Sequence, residues 1–152
     1  MPDASLPPVA KVSGVVLLRA DGAALLQLRD DRPGLRLAGN WVFPGGHSDP
    51  GETAHACARR EFLEETAYAC GELYLLVDFL DDTEFPPQQL TFFWARYDGL
   101  QTPRCLEGQA LEFVARARIP LLAEPRATCA KFGISRSPLR SAPPSFNKPP
   151  YA

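Results

Sequence analysis

The 152-residue chain has little of what marks several protein classes. It has four cysteines, Cys57, Cys70, Cys105 and Cys129, and no C-x-x-C pair. A structural zinc site therefore lacks its usual ligand spacing, and a chain of this size buries a core without a disulfide scaffold. The cysteines read as reduced thiols of a cytoplasmic protein, with Cys57 a small packing residue rather than a nucleophile. No apolar run approaches the ~20 residues of a membrane-spanning helix. The opening MPDASLPPVAK carries an early Asp and prolines where a signal peptide needs an apolar stretch. Neither secretion by that route nor membrane integration is expected. Charge of one sign is missing as well. Sixteen Lys and Arg against eighteen Asp and Glu leave −2, which speaks against a nucleic-acid binder that relies on a general positive field.

Proline is abundant: sixteen residues, about twice ordinary usage. Half of them fall within residues 1–8 and 134–152. The end, ISRSPLRSAPPSFNKPPYA, adds serines and basic residues but no acid, and cannot offset its ordering entropy with a core of its own. Residues 1–8 read as a flexible N-terminus, 9–133 as one domain and 134–152 as a Pro/Ser-rich, disordered tail rather than a polyproline II ligand.

Between these ends the pattern is strand-rich. Val12 to Arg19 and Ala23 to Arg29 are apolar runs separated by Ala20-Asp21-Gly22, a hairpin signal. Leu35 to Phe43 leads through Trp41 into Pro44-Gly45-Gly46, read as a forced turn. Glu52 to Thr66 is the one convincing helix. Glu72 to Leu80 reads as a strand with Leu73, Leu75, Val77 and Phe79 on one face. Asp81 to Gln88 reads as a loop, Leu90 to Tyr97 and Ala110 to Ala115 as strands, and Pro125 to Phe132 as a weak helix. The sum is an α+β domain with a mixed sheet and one central helix.

The chemistry concentrates in GGHSDPGETAHACARREFLEETAY, Gly45 to Tyr68. Pro50-Gly51 breaks the chain, and Glu52 stands at the helix entry, where a carboxylate suits the dipole. Glu61, Glu64 and Glu65 then fall on one face within about one turn. Like charges at this spacing repel, and Arg60 offsets only part of the repulsion. A divalent cation among the oxygens stabilises such a cluster, and carboxylate-rich sites suit Mg²⁺ or Mn²⁺ over zinc. Magnesium commonly shares its shell with phosphates, which connects the cluster to phosphate chemistry. The other reading, glutamates on a solvated helix face, weakens beside the glycine pairs, which let backbone pass close to a ligand.

This stretch resembles the signature of the Nudix hydrolases: Gly46, Glu52, Arg60, Glu61, Phe62, Glu64, Glu65 and Tyr68 occupy its positions, with Ala67 where the pattern has Gly. Six fixed glycine or charged positions match by chance with a probability near ~10⁻⁵ over a chain this long. If the helix ends at Ala67 with positive φ, alanine costs on the order of 1 kcal/mol relative to glycine. The alternative is a helix that runs on to Gly71.

The resemblance implies an α/β/α sandwich with a mixed β-sheet and a catalytic loop-helix-loop. It further implies Mg²⁺-dependent hydrolysis, Mn²⁺ substituting, of the pyrophosphate bond of a nucleoside diphosphate linked to another moiety, by water attacking phosphorus. On this reading Glu61 and Glu65, assisted by Glu64, hold the metal, and a backbone carbonyl near Gly45 joins them. Arg60 orients a carboxylate such as Glu52. Glu64 is the general-base candidate inside the signature; Glu107 and Glu112 are candidates outside it, near the site only if their segment folds over the helix. Arg29, Arg32 and His47 are candidate phosphate contacts, and Tyr74, Phe85, Phe93 and Trp94 candidate base-stacking residues. The implied partner is a small nucleotide, with neither nucleic acid nor membrane required; oligomeric state is open, a homodimer among the options. Two other functions share the fold: a nucleotide sensor without catalysis, which would be expected to lose signature carboxylates, and a hydrolase attacking a sugar carbon.

Overall fold

Two apolar runs turn back on one another at Asp21-Gly22. Gly22 adopts φ 85°, Arg19 N–H donates to the Ala23 carbonyl at 2.9 Å, and the hairpin joins β1 (Ala10–Leu18) to β2 (Ala24–Leu28). The protein is seen here in a computed structural model that describes residues 9–83 and 85–121. The expected helix at 125–132, Cys129 and the two Pro-rich ends lie outside the described residues.

After the hairpin come β3 (Trp41–Val42), β4 (Gly45–His47), α1 (Ala54–Thr66), β5 (Tyr74–Asp81), β6 (Gln88–Arg96), β7 (Ala110–Val114) and a 3₁₀ turn at Arg116–Leu121. The strands form one mixed sheet in the order β3-β2-β1-β6-β5, with β4 on β1 and β7 on β2. β1 and β6 run parallel from Ala10↔Gln88 to Leu18↔Arg96, and the other pairings are antiparallel. The other edge of β1 is shared: Leu18 meets Ala24 of β2, while Val12 to Gly14 pair with β4. The sheet is thus prised open between β1 and β2.

Strand alternation supplies two cores. Val15 and Leu17 of β1 pack with Ala58, Phe62 and Tyr68 beneath α1. Val16 and Leu18 pack on the opposite face with Leu26, Phe92, Trp94, Val114 and Ile119 of the 3₁₀ turn. The expected α+β class and mixed sheet hold, with α1 outside one face and, within the described residues, the 3₁₀ turn outside the other.

Three local expectations need correction, and one alternative that the sequence left open is decided. Gly45-Gly46 is strand, not turn: a Cβ on Gly45 would lie 2.5 Å from the Ser13 carbonyl oxygen, so glycine serves close strand approach here. In β5 the alternation breaks at a bulge between Leu75 and Val77. Leu73 therefore packs under α1, Leu75 is 45% exposed, and Val77 packs against the opposite core. Asp81 and Gln88, expected in a loop, are a cross-strand pair of β5 and β6. Finally, α1 stops at Ala67 (φ 58°, ψ 15°), whose N–H donates to the Leu63 carbonyl, and it does not continue to Gly71. Its N-cap is Thr53, whose side chain accepts from Ala56 N–H; Glu52 lies just outside the helix.

Candidate active site

The loop into α1 is organised by one arginine. Gly51 turns the chain with φ 78°, and Asp49 N–H donates to Glu52 Oε1 at 3.0 Å. Arg60 grips Glu52 with two hydrogen bonds, Nε to Oε2 at 2.8 Å and Nη2 to Oε1 at 2.9 Å. Its Nη1 reaches Glu61 Oε1 at 2.9 Å and Glu64 Oε2 at 3.2 Å, and Nη2 also donates to the His47 carbonyl at 3.1 Å. These bonds commit Arg60 to protein partners and tie loop to helix. Glu52 is held down to about 2 by the Arg60 guanidinium and then by the Asp49 N–H.

The carboxylates on the inner side differ. Glu61 lies flush against Gly46, where a Cβ would come within 2.3 Å of its carboxyl carbon. Burial raises its pKa, and Arg60 draws it back. Glu65 is 5% exposed, and its Oε2 accepts from Gly45 N–H at 3.1 Å. Burial, followed by a hydrogen bond and charge repulsion from Glu107 and repulsion from Glu61, pushes its carboxyl up to about 9.

Glu107 reaches Glu65 because its loop closes over the end of α1. Arg104 N–H donates to the Thr66 carbonyl at 2.7 Å and Leu106 N–H to that of Glu65 at 3.0 Å, satisfying carbonyls the helix leaves open. On the other side, Gln27 Nε2 donates to the Glu107 carbonyl at 3.0 Å and Gln109 N–H to that of Leu28 at 2.8 Å. The loop condition set by the sequence for Glu107 is met. Glu112 lies exposed on β7.

A cleft of about 560 Å³ opens beside these groups. Glu61, Glu65, Glu107 and the Gly45-Gly46 backbone form one part of its wall, Arg29, Arg32 and Arg36 another, and Phe79, Leu90 and Phe92 an apolar part. Arg29 and His47 both line the cleft, with His47 Nε2 3.3 Å from Gln88 Nε2. Glu64 does not join the lining: its side chain is 57% exposed and turns toward Arg60. The expected stacking residues are elsewhere. Phe93 and Trp94 are core, Tyr74 stacks on Trp94, and Phe85 is 93% exposed. The aromatics in the cleft are Phe43 after β3, Phe79 on β5 and Phe92 on β6.

Among the described residues no three His, Cys, Asp or Glu side chains already form a closed metal-binding group. The donor set nevertheless suits a hard divalent cation: it is all oxygen, crowded and partly buried. Glu65 in particular is a buried carboxyl beside two others, Glu61 and Glu107, with no guanidinium on it among the described residues. An arriving cation would balance it.

Known proteins resemble the chain in sequence and fold. The family model described as NUDIX domain matches residues 8–130. A protein of Bacillus subtilis (strain 168), provisionally named an 8-oxo-dGTP diphosphatase, is 33% identical over 111 residues, 73% of this chain and 70% of that one. An RNA pyrophosphohydrolase of Caulobacter vibrioides is 37% identical over 75 residues, 49% of this chain and 42% of that one, so the chain spans less than half of that relative's length. Among solved structures, a MutT NUDIX hydrolase from Burkholderia pseudomallei superposes with a TM-score of 0.62 at 27% identity, covering 72% of this chain and 85% of the other. With Gly46, Glu61 and Glu65 of the signature lining one cleft and the match extending over most of its length, the chain belongs to the Nudix hydrolase family.

Proposed function

We propose that the chain hydrolyses the pyrophosphate bond of a nucleoside diphosphate linked to another moiety, with Mg²⁺ as cofactor and Mn²⁺ as substitute, by water attack at phosphorus. The observation that carries this reading is the meeting of Glu65 and Glu107 beside Glu61 and the Gly45-Gly46 strand. Glu61 and Glu65 would hold the cation, with the Gly45 backbone beside them and Glu64 assisting from the rim. When bound, such an ion neutralises the anhydride's charge and polarises its P–O bonds.

The chain's own groups do the rest. Arg60 fixes one oxygen of Glu61 and both of Glu52, so the helix face is set before substrate arrives. Glu107 supplies a carboxylate to take the attacking water's proton as the new P–O bond forms and the bridging oxygen departs. Arg29 and His47 are placed to meet phosphate oxygens along the cleft. The names of the Bacillus and Caulobacter relatives support a nucleotide anhydride as the substrate class.

The test is turnover of a panel of nucleoside triphosphates, sugar nucleotides and dinucleotides with Mg²⁺ and then Mn²⁺, in ¹⁸O-labelled water. Label in a phosphate-bearing product is expected. Label on a sugar carbon would move the attack site, and binding without turnover would make the domain a sensor.

A further inference from the structure

β2 reads ALLQL, and one residue in it is out of place. Ala24, Leu25 and Leu26 are buried apolar residues, and Gln27 follows at 5% exposure. Burying a primary amide costs free energy unless it is hydrogen-bonded, and a leucine would fill a strand more favourably there. The amide has a specific use: Nε2 donates to the Glu107 carbonyl at 3.0 Å, across 80 residues of sequence.

The surroundings make this bond more than a filler. Three successive residues of the β2 end receive the loop: the Gln27 side chain takes the Glu107 carbonyl, the Leu28 carbonyl takes Gln109 N–H, and the Arg29 carbonyl takes Gln109 Nε2 at 2.8 Å. Gly108 lies between them at φ 83°, so close that a Cβ would stand 2.5 Å from the Leu28 carbonyl oxygen and 3.1 Å from Gln27 Cγ. Of the bonds that seat the loop on β2, the Gln27 bond alone ends on Glu107 itself.

We infer that Gln27 is a positioning residue for Glu107: its buried amide fixes the Glu107 backbone on β2 and so sets where the Glu107 carboxylate meets Glu65. The inference rests on the hydrolase reading above. Gln27 acts through Glu107 and transfers no proton itself.

The full chain is tested with Mg²⁺ and the best-turned-over nucleotide of the panel. Gln27→Met keeps the length and removes the donor; Gln27→Asn keeps the amide and withdraws it by one carbon, and serves if the Met variant folds poorly. Either variant is expected to lower kcat roughly 10- to 100-fold with KM within about twofold. In a double-mutant cycle, Gln27→Met added to Glu107→Gln is expected to cost nothing further. Independently of activity, amide exchange at Leu106 and Gln109 is expected to speed up in the Gln27 variants without metal or nucleotide. Unchanged kcat, a multiplicative loss in the double variant, a rise confined to KM, or unchanged exchange would each overturn the inference while leaving the hydrolase reading intact. A wild-type chain inert toward the whole panel would overturn the hydrolase reading itself, before any variant is made.

Discussion

Two sets of carboxylates meet where α1 joins its flanking loops, and they have opposite fates. Toward the loop, Glu52, Glu61 and Glu64 share the guanidinium of Arg60, and Glu52 is held at about 2. Toward the cleft, Glu65 faces Glu107 and accepts from the Gly45 N–H, and burial beside Glu107 drives it up to about 9. The first set is tied together by Arg60, and of its members Glu61 also lines the cleft. The second is incomplete in a way a cation would correct. Proximity of acids in sequence therefore does not give them one role: Glu64 and Glu65 are neighbours, yet one turns out to Arg60 and the other into the cleft.

The largest break in this contrast is Glu65→Gln. It removes a charge but keeps the shape, so turnover is expected to fall about a thousandfold or more, while the thermal midpoint stays level or rises as crowding among the acids is relieved. Steady-state kinetics beside a melting curve checks both halves.

Gly46→Ala tests Glu61 without touching it. The added methyl meets the end of a flexible side chain rather than backbone, so the fold should survive and the carboxylate give way. Turnover is expected to drop roughly 10- to 100-fold with little change in Tm.

Glu52→Gln probes the completed set by pH. The Glu52 carboxyl is depressed from an ordinary 4.5 to about 2. Its stabilising contribution is therefore full above about 4.5 and is lost as pH falls toward 2. The wild-type melting temperature should exceed the variant's by several degrees at pH 7, with the gap closing across that window.

Ala67→Gly should have the smallest effect. At φ 58°, glycine relieves left-handed strain and gives back part of the gain in unfolded-chain entropy, for a net gain of about 0.5 kcal/mol. Chemical denaturation measures it, and unchanged turnover would show that strain at the cap is separate from the neighbouring carboxylates.

The sequence was informative where local spacing decides the outcome. Glycine, arginine and glutamate at signature spacing marked α1 and its entry loop and singled out Glu61 and Glu65, which line the cleft, and Asp21-Gly22 marked the hairpin. Glu107 was legible only as a candidate, because its approach to Glu65 depends on the bonds of residues 104–109 to α1 and β2. Gln27 gave no local sign beyond a polar residue in an apolar strand. The cleft aromatics were missed because they come from three separate segments, Phe43 after β3, Phe79 on β5 and Phe92 on β6, that only the folded sheet brings together. Gly45-Gly46 looked like a turn because the same freedom that suits turns also suits two backbones in close contact.

The parallel pairing of β1 with β6 carries a consequence for how the molecule comes into being. The first strand waits for a partner that begins at Gln88, so the middle of the sheet stays unzipped until well after the acidic helix has been synthesised. Local steps such as the hairpin can run early, but the groups that cooperate in the cleft are brought together only by slow, long-range closure. A nascent chain halted before that strand would carry the signature intact and yet lack both the parallel neighbour of β1 and the later loop that brings Glu107 to Glu65.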